Sequence, residues 1–328
     1  MSKTGTALVV GAGGGIGGEV AAALVAQGWT VRGLVRDPAK AAANGAAGIA
    51  WVAGDALKAD DVVRAAAGAS VVVHAVNPPG YRNWAGLVLP MLESSIAAAE
   101  ASGARIVLPG TIYNYGPDAF PLLSETSPQH PETRKGKIRV AMEARLEQAV
   151  ARGVRSLVVR AGDFFGPHAG NNWFSGGLIK PGKPVTSVWN PGTPGVAHAW
   201  AYLPDVAATM ARLVAREAEL APFESFHFAG HVLPDNVEMG RAIARAVGNP
   251  DLPIRRFPWW AMTLASPFMT LARELGEMRY LWTVPLVLDN RKLVAFLGEE
   301  PHTPLDVAVT TTLRGLGSLP AGDVRTAA

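Results

Sequence analysis

The chain has 328 residues, 49% of them apolar and 17% charged, with 30 basic against 27 acidic side chains and a net charge of +3. That length makes one large domain or two interlocked smaller ones with ample core, and the composition excludes disorder, coiled coil and a charged binding tail. The absence of cysteine excludes disulfides, thiolate zinc sites, iron–sulfur clusters and a cysteine nucleophile, and the scattered charges offer no basic patch for nucleic acid.

The opening Met1-Ser2-Lys3-Thr4-Gly5 lacks an apolar leader stretch, so a cytoplasmic protein is expected. Thr6 to Val10 is a short apolar run of the buried parallel-strand kind, broken at Gly11-Ala12-Gly13-Gly14-Gly15-Ile16-Gly17-Gly18. Helix is predicted over Glu19 to Gln27 and a second buried strand over Thr30 to Val35, completing a βαβ unit. The alternation continues: a strand at Ile49 to Val52 ending at Gly54-Asp55, helix near Asp60 to Ala67, a strand at Ser70 to Ala75, and helix from Trp84 to Ser102. Further strands at Arg105 to Leu108 and Arg155 to Arg160 flank a helix from Ile138 to Arg152. Strands alternating with helices predict an α/β protein with a doubly wound parallel sheet.

After Gly166 the texture changes. Residues 166–197 are rich in glycine and proline and contain Trp173, Phe174 and Trp189, which suits irregular structure laid over a site. Helix returns at Asp205 to Glu219, a strand at Ser225 to Phe228 and a last helix at Pro304 to Gly315. Pro258 to Ala272 is uncharged but interrupted by Pro267. It is too short to span a bilayer and is read as a buried or interface segment in preference to a membrane-surface one. The expected division is a dinucleotide-binding domain of residues 1–165 and 198–230, an interleaved substrate region of 166–197 and 231–315, and a flexible tail of 316–328.

Gly11, Gly14 and Gly17 stand between a buried strand and a helix. The first glycine permits a sharp turn, the second a close backbone approach to pyrophosphate, and the third close packing of helix on strand. Gly15 and Ile16 open the helix whose free amides face the anion. The second strand ends not in an acidic residue but with Arg36, after Arg32; a guanidinium fork suits a 2′-phosphate, so NADP is expected over NAD. Asp55, followed by Ala56, is placed either to bond the adenine amino group or to serve as a turn residue.

These pieces carry a family likeness. Together with Val73-His74-Ala75, Thr111-Ile112-Tyr113-Asn114-Tyr115-Gly116, Arg160 through Phe165-Gly166-Pro167, and Tyr202 to Ala207, they make the sequence resemble the extended or atypical short-chain dehydrogenase/reductases, the epimerase/dehydratase-like group with a Rossmann fold. The resemblance implies that Ala75, Val76 and Asn77 line the nicotinamide ribose. It also implies that backbone from Ala161 to Phe164, Gly162 included, meets the nicotinamide, that Thr111 is the catalytic hydroxyl, and that a homodimer forms through the two long helices.

The family's reaction requires a tyrosine followed four residues later by a lysine. Counting back from Glu143, which matches the family's later glutamate, those positions hold Lys135 and Arg139. Arg139 can donate to ribose hydroxyls, but a guanidinium does not exchange a proton at neutral pH. Lys135 acts as an acid only with a strongly lowered pKa. If the strand continues past Gly110, Thr111 and Tyr113 share a face, so Tyr113 is a substitute proton donor; His130, Asp163 and His168 rank below it.

The expected function is an NADP-dependent oxidoreductase of a small apolar or aromatic carbonyl or alcohol. Its pocket would be built from residues 166–197 and Phe257 to Trp282, with Trp173, Trp189, Trp259, Trp260 and Trp282 as apolar wall. The alternatives are a catalytically degenerate NADP-binding sensor or regulator and a sugar-nucleotide epimerase or dehydratase. Beyond a small-molecule substrate, no metal, nucleic-acid or membrane partner is expected.

Overall fold

The computed structural model describes residues 4–44, 46–78, 83–170 and 172–320. The readings that fall on residues 1–3 and 321–328, part of the absent leader and most of the tail, lie outside them. The first half runs β1 Thr6–Val10, α1 Gly15–Ala26, β2 Thr30–Val35, α2 Pro38–Asn44, β3 Ile49–Ala53, α3 Ala59–Ala65, β4 Val71–His74, α4 Trp84–Ser102, β5 Arg105–Thr111 and β6 Leu122–Leu123. It continues with α5 Arg134–Ala149, β7 Arg155–Ala161 and β8 Asp163–Phe165.

The second half holds β9 Val188–Asn190, β10 His198–Tyr202, α6 Leu203–Val214, β11 Phe223–His227, β12 His231–Leu233 and α7 Glu238–Ala246. After these come β13 Ile254–Arg256, α8 Trp259–Ala265, α9 Thr270–Glu277, β14 Val287–Leu288, α10 Arg291–Leu297 and α11 Leu305–Gly315.

Seven parallel strands form the central sheet in the order β11-β7-β5-β4-β1-β2-β3. The inner strands are nearly continuous apolar runs because helices cover both faces. Val9, Val73, Val107 and Val159 pack with α1 and α6 on one face, while Ile106, Leu108 and Val158 pack with α4 and α5 on the other. Strand order reverses between β1 and β4, opening a crevice beyond their carboxyl ends, the usual ligand position in a doubly wound sheet. β8, β10 and β12 make a separate small sheet, and a second core of Phe165, Phe174, Trp200 and Trp282 lies around it.

Three sequence readings are revised by the structure. The strand does not continue past Gly110 far enough to carry Tyr113: β5 stops at Thr111 and residues Ile112–Asn114 coil into a 3₁₀ turn. Helix α5 begins at Arg134, a turn before the predicted start, because Thr133 caps it by accepting from the Gly136 amide at 3.0 Å. Pro258 to Ala272 is not a buried segment, since Trp260 is 72%, Leu264 69% and Phe268 90% exposed. At the other end, Leu316 and Leu319 pack on the second core and Ser318 is buried.

Candidate functional site

Immediately after β1 the chain turns at Gly11 with φ +96°, and a Cβ there would lie 2.7 Å from the Ala75 carbonyl carbon and the Val76 nitrogen. Only glycine lets this turn pass against the end of β4. A side chain on Gly17 would likewise run into the Gly11 carbonyl. The Gly14 amide closes the turn on Gly11 O at 2.9 Å, Gly14 sits at the N-cap, and the first turn of α1 carries no acidic residue. The positive end of α1, with its first amides unbonded within the helix, therefore faces an open crevice with no carboxylate of its own first turn to compete.

That crevice is a cavity of about 650 Å³. Gly11, Gly14, Gly15 and Ile16 form its floor, and Ala75, Val76 and Asn77 continue it from the end of β4. Gly17 lies beneath, as packing. Gly162 and Phe164 line the same cavity further along, so the proposed phosphate and nicotinamide ends of a dinucleotide are continuous.

The adenosine end is more open. Arg36 stands exposed just past β2 and does not line the cavity; neither do Asp55 and Ala56. Arg32 is occupied, donating to the Ala65 and Ala67 carbonyls at 3.0 and 2.7 Å and so tying β2 to the end of α3. Asp55 accepts from the Leu57 amide at 3.0 Å, a turn-forming bond.

At the opposite end Thr111, Tyr113 and Arg139 meet on the cavity wall. Tyr113 reaches it from the 3₁₀ turn, not from a continued strand. Gly136 allows the approach, because a Cβ on it would strike the Tyr113 carbonyl. Arg139 lies 5.4 Å from the Trp84 ring centroid, and Trp84 Nε1 donates to Asn77 Oδ1 at 2.6 Å. Behind Thr111, the buried Arg160 donates to its carbonyl at 2.5 Å and to Glu143 at 2.7 Å, and Asn114 Nδ2 donates to the same carboxylate at 2.9 Å. This network fixes the turn that presents Thr111 and Tyr113. Tyr115 belongs to the core, bonded to His227 at 3.0 Å, and burial pushes its phenol up to about 12.

Lys135 is placed elsewhere. It is 1% exposed, and its Nζ lies 2.6 Å from Glu274 and 3.4 Å from Glu277 and donates to the Glu274 carbonyl at 2.8 Å. It does not line the cavity. Its ion pairs hold α9, whose Leu271 and Leu275 do line it, together with Trp173 and Phe257. Of the expected tryptophan wall, Trp173 alone faces the cavity; Trp282 is stacked on His198, with ring centroids 4.0 Å apart, and Trp259 donates to the Pro191 carbonyl at 2.8 Å.

Polar groups on the wall that the local sequence marks weakly include His74 and Asp163. His74 is buried, bonded to Ser95 at 2.8 Å, and held down to about 3 by burial, with the Arg139 charge adding to it. Neutral His74 thus leaves Arg139 as the cation of this corner. Asp163 lines the cavity and is 2.8 Å from Nε2 of buried His198. No local spacing marks that pair, since 35 residues separate its members, which stand on the neighbouring strands β8 and β10. His130 pairs with Asp118 at the surface, whereas His168, which pairs with Glu19, also lines the cavity. Among the described residues no cluster of potential ligands could hold a metal ion, and no helix is long and apolar enough to cross a membrane.

Residues 11–161 match the family model described as NAD(P)H-binding. No curated protein matches the chain. Among solved structures it is similar to MoeE5 in complex with UDP-glucose and NAD, at 19% identity and a TM-score of 0.70 over 95% of this chain and 98% of that one. It is similar to UDP-glucose 4-epimerase from Bifidobacterium longum in complex with NAD+ and UDP, at 15% identity and 0.73 over 96% and 100%. A third is the dTDP-glucose 4,6-dehydratase DesIV from Streptomyces venezuelae, at 18% identity and 0.70 over 94% and 96%. The shared property is the fold.

Proposed function

We propose that the protein, whose residues 11–161 match an NAD(P)H-binding family model, is an NADP-dependent oxidoreductase of a small, apolar or aromatic carbonyl or alcohol. One observation carries this reading: a single cavity runs from the glycine turn to Thr111 and Tyr113 and ends against Trp173, Phe257, Leu271 and Leu275. Bound NADPH would supply the hydride for carbonyl reduction, and NADP+ would accept it in alcohol oxidation. Gly11 to Ile16 would hold its pyrophosphate, Asn77 and Arg139 its nicotinamide ribose, and Arg36 its 2′-phosphate. The Thr111 hydroxyl would hydrogen-bond the substrate oxygen, where charge develops, and Tyr113 would give or take the proton. The apolar end offers little to a sugar nucleotide, whose hydroxyls and diphosphate need polar partners. A homodimer through α4 and α5 completes the proposal.

The test is turnover of NADPH by the purified protein over ketones, aldehydes and enones, with Thr111→Val as control. Removing one such donor lowers kcat by about a hundredfold or more while leaving cofactor affinity unchanged. No turnover across the panel refutes the proposal. A second reading is favoured by Lys135, which sits in a buried ion-pair cluster at the position of the family's tyrosine: a sensor that binds NADP without hydride transfer. It requires tight NADP binding, a silent panel and a partner whose affinity changes with cofactor.

A further inference from the structure

Residues 254–280 present features that the cofactor site does not use. α8 and α9 pack on each other as a short helical hairpin. Its outer side exposes Trp260, Leu264, Phe268, Met269 and Leu271. Single exposed apolar side chains are ordinary on a soluble surface; this cluster, confined to residues 260–271, is a patch that needs an occupant. Within residues 254–280 the exposed charges share one sign. Arg255, Arg256, Arg273 and Arg279 are exposed, whereas the segment's carboxylates, Glu274 and Glu277, turn inward onto Lys135 and Arg134.

We propose that the α8–α9 hairpin is a peripheral docking surface for an anionic lipid bilayer. Phe268 and Leu264 would enter the acyl boundary, Trp260 would lie at headgroup depth, and the arginines would meet lipid phosphates. This departs from the expectation that the chain has no membrane partner, which read Pro258 to Ala272 as buried or as an interface segment. The hairpin is far too short to span; it lies on the membrane.

Charge decides against a second copy of the chain as occupant. A two-fold interface sets a patch against itself, which would bring these arginines together with no exposed carboxylate in residues 254–280 to offset them. A negatively charged surface removes that repulsion. Leu271 is both exposed and part of the cavity wall, so the patch reaches the apolar end of the cavity. The inference stands whichever reaction the cavity performs.

The experiment is co-sedimentation of the whole protein with vesicles of phosphatidylcholine alone or mixed with phosphatidylglycerol, at low and high salt. Binding to the mixed vesicles is expected, with a blue shift of tryptophan emission and weakening by salt. Leu264→Ser and Phe268→Ser should each lower partitioning by about tenfold or more. Arg256→Gln and Arg273→Gln should lower it by roughly fivefold each on mixed vesicles only. None of these four residues lines the cavity, so unchanged NADPH binding shows that each variant is folded. The proposal is overturned if the wild-type protein stays in the supernatant with mixed vesicles, or if the variants bind as it does. A dimer in sedimentation velocity that Phe268→Ser makes monomeric, with no vesicle binding, would assign the patch to a second copy and equally overturn it.

Discussion

Replacing Lys135 with methionine separates two roles that its position in the chain leaves open. The ammonium is 1% exposed and Glu274 4%, and their 2.6 Å contact joins the first turn of α5 to α9. Methionine keeps the apolar length and strands the carboxylate. Removing one partner of a buried pair typically costs about 3 to 5 kcal/mol. Here Arg134 still reaches Glu274 at 2.6 Å, from a largely exposed position, so a loss of about 2 to 4 kcal/mol is expected. With a total stability on the order of 5 to 15 kcal/mol the variant remains folded at room temperature. Urea denaturation followed by tryptophan fluorescence measures the loss, and adding Glu274→Gln should recover part of it, as coupled partners do. NADPH turnover should survive once protein is folded. A loss under about 0.5 kcal/mol would place the pair outside the folding energetics. A fully stable variant with abolished turnover would make Lys135 the proton donor and refute its role as a clamp.

Arg36→Ala should weaken NADP binding by about tenfold or more and leave NAD nearly unchanged, as isothermal titration would read; equal losses would mean that the guanidinium does not meet the 2′-phosphate. Gly11→Ala meets both a positive φ and the backbone at Ala75 and Val76, so binding of either dinucleotide should fall at least a hundredfold, and retained affinity would refute the assignment of the turn. Acidification should destabilise the fold through histidines kept neutral by burial: His74 and His227 are lowered from 6.5 to about 3, and His231 to about 4. The unfolded chain takes up protons below pH 6.5 that the native one refuses, so stability falls from there downward, by roughly 1.4 kcal/mol per pH unit for each histidine until its folded pKa is reached. His74→Gln should reduce that slope by about one proton, and an unchanged slope in urea midpoints would show that native His74 is charged.

The central sheet was legible because its signals are local. Thr6 to Val10 and Val71 to His74 are buried runs whichever chain carries them, and α4 starts and stops at Trp84 and Ser102 as periodicity suggests. The glycine turn was legible for the same reason, since Gly14 and Gly17 meet the Gly11 carbonyl a few residues away. The reacting end was less so. Tyr113 faces the cavity although the strand supposed to carry it there ends two residues earlier. Lys135 was separated from the cavity by Glu274, and Asp163 was joined to His198, through contacts 139 and 35 residues long in sequence. Hydrophobicity alone also left burial and an interface as alternatives for Trp260 and Phe268, and both side chains are exposed. Burial of an apolar stretch depends on what the rest of the chain brings to cover it.

β7 and β8 are separated by one residue, Gly162, yet they belong to different sheets. A Cβ at that residue would strike the Ala199 carbonyl, so the crossing has no room for an inserted joint. The chain then returns to the main sheet through β11 before going back to the small one at β12. For anyone recombining genes, on the proposed function no single cut releases the residues that line the apolar end of the cavity from those of the glycine turn. On that proposal, new specificities have to be made in place, at lining residues such as Trp173, Phe257, Leu271 and Leu275, and a chimera that inserts residues at Gly162 should fail to fold.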